Sequence, residues 1–180
     1  MTHTDQKSPA VFVDRDGTIM RDVDYCGDPA DVQLLDGASE ALRHLKSHGF
    51  KIVVITNQSG IGRGYFDEKQ YREVEAEVDR QIGKDVIDAT YYCPHLPEDG
   101  CNCRKPSAGM IFQAAQDHHI DLTKSFFIGD KRSDIECGRN AGVRTILVRT
   151  GYGKSVESGL ADVVAEDLRD AAKVIVDFND

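Results

Sequence analysis

Short β-branched and aromatic runs recur along this chain, each followed by a stretch with helical spacing, and that alternation constrains the fold more than any other feature. The runs VFVD (11–14), KIVVIT (51–56), ATYY (89–92), SFFIG (125–129) and TILV (145–148) have the length and composition of buried strands. Between them apolar residues return every three or four positions: Ala38, Ala41, Leu42 and Leu45; Tyr71, Val74, Val78 and Ile82; Met110, Ile111 and Ala114; Ile135 and Ala141. This order predicts a three-layer, doubly wound α/β fold, a parallel sheet with helices on both faces. Ligands in such sheets bind outside the carboxyl ends of the strands, so the residues just after each run are the ones to read.

The first run leads into Asp14-Arg15-Asp16-Gly17-Thr18, the second into Thr56-Asn57-Gln58-Ser59-Gly60, and the fourth into Gly129-Asp130-Lys131-Arg132-Ser133-Asp134. Taken singly, Asp-x-Asp-Gly is a turn, Thr-Asn a helix cap and Gly-Asp a loop. Placed together at neighbouring strand ends, they converge Asp14, Asp16 and Asp130 with a hydroxyl and a lysine. Carboxylates so close repel, and a bound cation relieves them. Mg²⁺ suits such a site, because it takes carboxylate and water oxygens together with substrate phosphate.

The stretch CPHLPEDGCNCRKP (93–106) brings Cys93, His95, Cys101 and Cys103 within eleven residues. Three thiolates and one imidazole are the ligand set of a structural Zn²⁺ site, with an incidental cluster of reactive cysteines as the competing reading. Four protein ligands leave no open position for water, so the zinc would brace the loop that delivers Arg104 and Lys105. Glu98 and Asp99 in the loop, and the lack of a basic helix, argue against a nucleic-acid-binding finger. Cys26 and Cys137 stand apart and read as ordinary small side chains.

Length and charge bound the function. At 180 residues the chain is expected to be one domain, with 1–9 a flexible lead-in, and long enough to bury a core without crosslinks. The start MTHTDQKSPA lacks a signal-peptide core and no apolar run is long enough for a bilayer, which predicts a cytoplasmic protein with no membrane partner. A formal charge of −9 argues against a nucleic-acid partner, but leaves room for a small phosphorylated substrate held by a few local cations.

DRDGT (14–18), ITNQSG (55–60), RKP (104–106) and GDKRSD (129–134) appear in the order of the four motifs of the haloacid dehalogenase superfamily, which the chain closely resembles over about residues 10–153. More narrowly, TNQSGIGRG, the CPH…CNCRKP segment, GDKRSD and LVRTG resemble the D-glycero-D-manno-heptose 1,7-bisphosphate phosphatases; the acidic stretch from 154 onward adds little to the likeness. The resemblance implies Asp14 as nucleophile and carrier of an aspartyl-phosphate, and Asp16 as acid and then base. It implies that the Asp14 side chain, the Asp16 carbonyl and Asp130 hold Mg²⁺, while Thr56, amides near Asn57, and Lys105 bind the transferring phosphoryl group. Asp134 has two readings: it orients Lys105 or Lys131, or it is a carboxylate at a helix N-terminus.

The intervals between these motifs have no room for a cap domain, so loops must set specificity. Candidate contacts are Asp22, Val23, Asp24 and Tyr25, with Asn57, Gln58, Ser59, Arg63, Arg104 and Lys131 around the rim. Arg63 is the candidate for a second, distant phosphate. A histidinol-phosphate phosphatase shares the metal loop, but Arg63 and Lys131-Arg132 favour a doubly anionic substrate. A phospho-receiver domain also clusters Asp, Thr and Lys, but has no use for the acid Asp16. An open site of this kind is expected to work as a monomer.

Overall fold

A computed structural model describes residues 7–179. Six parallel strands form the central sheet: β1 (Ala10–Val13), β2 (Lys51–Asn57), β3 (Ala89–Cys93), β4 (Phe126–Gly129), β5 (Arg144–Val148) and β6 (Val163–Ala165). Their order is β3-β2-β1-β4-β5-β6, and every neighbouring pair is parallel. The direction reverses beside β1, so the ends of β1, β2 and β4 lie side by side at the switch point.

Alternate residues of the strands feed the two faces. Val11, Val13, Ile52, Val54, Ile128 and Val148 pack under α1 (Ala38–Ser47), α3 (Glu68–Ile82) and α6 (Leu168–Asn179). Phe12, Val53, Ile55 and Phe127 face the opposite layer, with α4 (Gly109–Asp117) and α5 (Arg132–Ala141). A four-residue helix, α2 (Ser59–Gly62), follows β2 directly. Asp67 caps α3, accepting a hydrogen bond from the Gln70 amide, while the Gln70 side chain accepts from the Asp67 amide.

The five predicted strands are present within a residue or two. The stretch from 154 onward supplies more than an acidic end: it contains β6, which extends the sheet beyond β5, and α6, whose Leu168, Ala171, Ala172 and Ile175 are buried in the layer shared with α1. Of the expected lead-in, 1–6 lie outside the described residues, and Ser8 forms a parallel bridge with Ile120. Among the described residues no helix is long and apolar enough to cross a membrane, and no cap domain interrupts the sheet.

Candidate active site at the carboxyl ends of β1, β2 and β4

β1 ends one residue before Asp14, which is 3 % exposed. Its carboxylate meets the Lys105 ammonium at 2.7 Å. Lys105, itself buried, also donates to the Ile55 carbonyl at 2.8 Å and lies 2.7 Å from Asp134. A lysine can be buried this deeply because two carboxylates and a carbonyl take up its charge and donors. Burial opposes that charge, but Asp134 and then Asp14 override it and raise Lys105 above its ordinary value. Burial also opposes the charge on Asp14, yet Lys105 and Lys131 hold its carboxyl below the usual range. It is therefore an anion over the range in which a carboxylate nucleophile works.

Asp134 opens α5 in the way neither a surface carboxylate nor a metal ligand alone would. Fully buried, it takes Lys105 on one oxygen and the Lys131 amide on the other at 3.0 Å. Burial, then the Asp14 charge, push it up to about 6.

Asp130 is pushed further, up to about 8, by burial and then by Asp14 and Asp134. It receives the Tyr152 amide at 2.8 Å, with the Thr18 hydroxyl at 3.4 Å. Gly17, at φ +90°, and Gly151, at φ +50°, both approach so closely that a Cβ on either would strike this carboxylate. Oxygen ligands of Asp14, Asp130 and Asp134 can come within 4.8 Å of one another. A buried carboxyl lacking a cationic side chain of its own, in a glycine-lined cradle beside two other carboxylates, fits a hard divalent cation such as Mg²⁺.

Asp16 faces a cleft of about 320 Å³. Its carboxylate receives Arg15 and, at 2.9 Å, the Gln58 amide, which also donates to the Thr56 hydroxyl at 2.8 Å. Gln58 thus ties the end of β2 to the loop after β1. Asn57 exchanges two hydrogen bonds with the Lys105 main chain, 3.0 and 3.2 Å, fixing the loop that carries the lysine.

Asp22, Asp24 and Tyr25 line the cleft together with Asn57, Ser59 and Arg104. Lys131 lines it too, 3.1 Å from Asp22 and with its ammonium 5.2 Å from the Tyr152 ring centroid. Burial opposes its charge, but Asp14, Asp130 and Asp22 raise Lys131 above the ordinary lysine range. Val23 is exposed and lies outside the cleft lining. Arg63 is also outside it; its guanidinium sits 5.8 Å from the centroid of Tyr25, whose ring meets Tyr65 edge-on. A larger surface groove of about 630 Å³ past α2 carries none of these groups.

Cys93, His95, Cys101 and Cys103 are brought together. Cys93 and Cys103 sulfurs are 3.0 Å apart, Cys103 and Cys101 3.4 Å, Cys93 and Cys101 3.6 Å, with His95 Nδ1 3.2 Å from Cys103. A tetrahedron with ~2.3 Å Zn–S bonds has an edge of about 3.8 Å, close to this spacing. All the cysteines are free thiols, and Arg104 donates to the His95 carbonyl at 3.3 Å, joining the cluster to the cleft wall.

Sequence reading overlooked Arg15 and Tyr152 as parts of the site. Tyr152 follows the fifth predicted strand, and the same strand-end rule would have found it. Arg15 gave no such signal, since an arginine within a turn is ordinarily solvated.

The family described as HAD-hydrolase-like matches residues 102–171. The chain is 43 % identical over 172 residues to the D-glycero-beta-D-manno-heptose-1,7-bisphosphate 7-phosphatase of Haemophilus ducreyi, covering 89 % of this chain and 94 % of that one. It is 41 % identical over 178 residues to the protein of the same name from Escherichia coli K12, covering 93 % of each. Among solved structures, the D,D-heptose 1,7-bisphosphate phosphatase of B. bronchiseptica, complexed with magnesium and phosphate, aligns with a TM-score of 0.88 and 32 % identity over 94 % of this chain and 99 % of that one.

Proposed function

The chain belongs to the D-glycero-D-manno-heptose-1,7-bisphosphate 7-phosphatase family of haloacid dehalogenase-like hydrolases, and on that premise we propose that it removes the 7-phosphate of that sugar bisphosphate, leaving the 1-phosphate. The observation that carries the reading is the anionic Asp14, held by buried Lys105, beside the cation-seeking Asp130, with Asp16 two residues on lining the open cleft. Asp14 attacks phosphorus as the bond to the sugar oxygen breaks, forming an aspartyl-phosphate. Asp16 gives its proton to the departing oxygen, then takes one from the water that cleaves the acyl phosphate and regenerates Asp14. Lys105 and Thr56 hold the phosphoryl oxygens and keep Asp14 aimed. Asp14, Asp130 and the Asp16 carbonyl would hold Mg²⁺, which would supply positive charge to offset that of the transferring phosphoryl group.

Arg104 and Lys131, on the cleft walls, suit the second phosphate of a bisphosphate. Arg63 has a different role, bracing Tyr25 at the cleft mouth. Cys93, His95, Cys101 and Cys103 would hold Zn²⁺, which would brace the Arg104–Lys105 loop. With a net charge of −9 and a substrate that is a small sugar phosphate, the reading is of a cytoplasmic monomer without nucleic-acid or membrane partners. The deciding experiment compares kcat/KM for the heptose 1,7-bisphosphate and histidinol phosphate in Mg²⁺: a clear preference for the bisphosphate is expected, and an equal or better rate on histidinol phosphate overturns the assignment.

A further inference from the structure

Arg15 lies between the two reacting carboxylates in sequence and has neither of their roles. Its side chain is 3 % exposed, and its Nε and Nη2 are turned onto the neighbouring carboxylate rather than toward solvent. An interior guanidinium is costly unless a counter-charge and donors are satisfied, and its ion-pair partner is Asp16. Nε reaches the two Asp16 oxygens at 3.3 and 3.2 Å, and Nη2 reaches them at 3.1 and 3.0 Å. Behind it the guanidinium rests 5.8 Å from the ring centroid of Tyr71, itself fully buried on α3. Arg15 Nη1 has no hydrogen-bond partner among the described residues; the grip on Asp16 is the polar contact that this buried group makes. From the other side, Gln58 donates to the same carboxylate at 2.9 Å.

We propose that Arg15, backed by Tyr71 and opposed by Gln58, is a positioning residue that holds the Asp16 carboxylate in one orientation at the cleft floor for proton transfer to the leaving oxygen. The inference rests on the acid–base role proposed for Asp16. An aspartate free at the end of a strand samples several side-chain wells; a planar fork gripping both oxygens selects one, which a lysine point charge cannot do. The proton Asp16 delivers matters for a sugar oxygen, a poor leaving group, and little for an aryl oxide that departs as the anion.

The test measures kcat/KM of full-length Arg15→Met and Arg15→Lys, in Mg²⁺, on the heptose bisphosphate and on 4-nitrophenyl phosphate. Arg15→Met is expected to lose roughly 10- to 100-fold on the sugar ester but less than about threefold on the aryl ester, with Arg15→Lys between it and wild type. In an Asp16→Asn background, Arg15→Met should change the sugar-ester rate by less than about twofold, because both substitutions remove one contribution. Equal losses on both esters, or additive losses with Asp16→Asn, overturn the clamp; should Arg15→Met not fold, Arg15→Lys carries the same comparison. Wild-type protein inert toward every phosphate ester would instead overturn the proposed function, and the clamp with it.

Discussion

Within one cluster of carboxylates, Asp130 is pushed up to about 8 by burial and its acidic neighbours, while lysines hold Asp14 low. An Asp raised in the folded state ionises first in the unfolded chain, so metal-free protein should lose stability as pH rises from about 4 toward 8. Mg²⁺ must displace the Asp130 proton at pH 6 but much less of it at pH 8, so the rise in Tm on adding Mg²⁺ should be larger at pH 8. Asp130→Asn should melt above metal-free wild type at pH 8 and gain little from Mg²⁺; thermal scans with and without chelator check both. Asp14→Asn should abolish turnover of any phosphate ester, because an amide is no nucleophile, while Lys105 keeps Asp134 and the fold survives. Near-normal turnover by that variant would contradict the covalent route.

At the scale of elements, the β3–α4 connection joins the cluster of Cys93, His95, Cys101 and Cys103 to Lys105. Cys103 lies two residues before Lys105, and Asn57 locks the Lys105 main chain to the end of β2. Cys101→Ser should lose most of about one zinc per chain by elemental analysis. The loosened loop should raise KM and lower kcat together, and Tm should fall because a structural zinc contributes folding energy. Full zinc content in that variant, or full activity without zinc, would separate loop from site. Helix α5 reaches the same lysine. Its first turn carries Asp134, so the helix seated on β4 also aims Lys105.

On the whole-molecule scale, α6 supplies stability at a distance from the chemistry. Ile175 is fully buried in the layer with α1. Ile175→Ala should cost roughly 2–5 kcal/mol and lower Tm by roughly 5–15 °C. At 25 °C, kcat/KM should remain within about twofold, since no residue of α6 lines the cleft; a large activity loss in a folded variant would show coupling between the two. The strands, the gathering of carboxylates at the switch point and the clustering of Cys93, His95, Cys101 and Cys103 were legible in the sequence. Each rests on a local signal: a period, a turn motif, or ligands a few residues apart. Strand β6 was not legible, because three residues carry no period and pairing with β5 alone makes them a strand. Asp134 was only half legible. Its α5 start suited a surface carboxylate, and it became the second partner of Lys105 because the end of β4 and the 104–106 loop, far apart in the chain, meet in the fold. Arg63 and Arg15 show the same division. The sequence determines that each carries a fixed positive charge; the tertiary structure sends one to a tyrosine at the rim and buries the other against Asp16, because a guanidinium's partner is set by which elements pack around it.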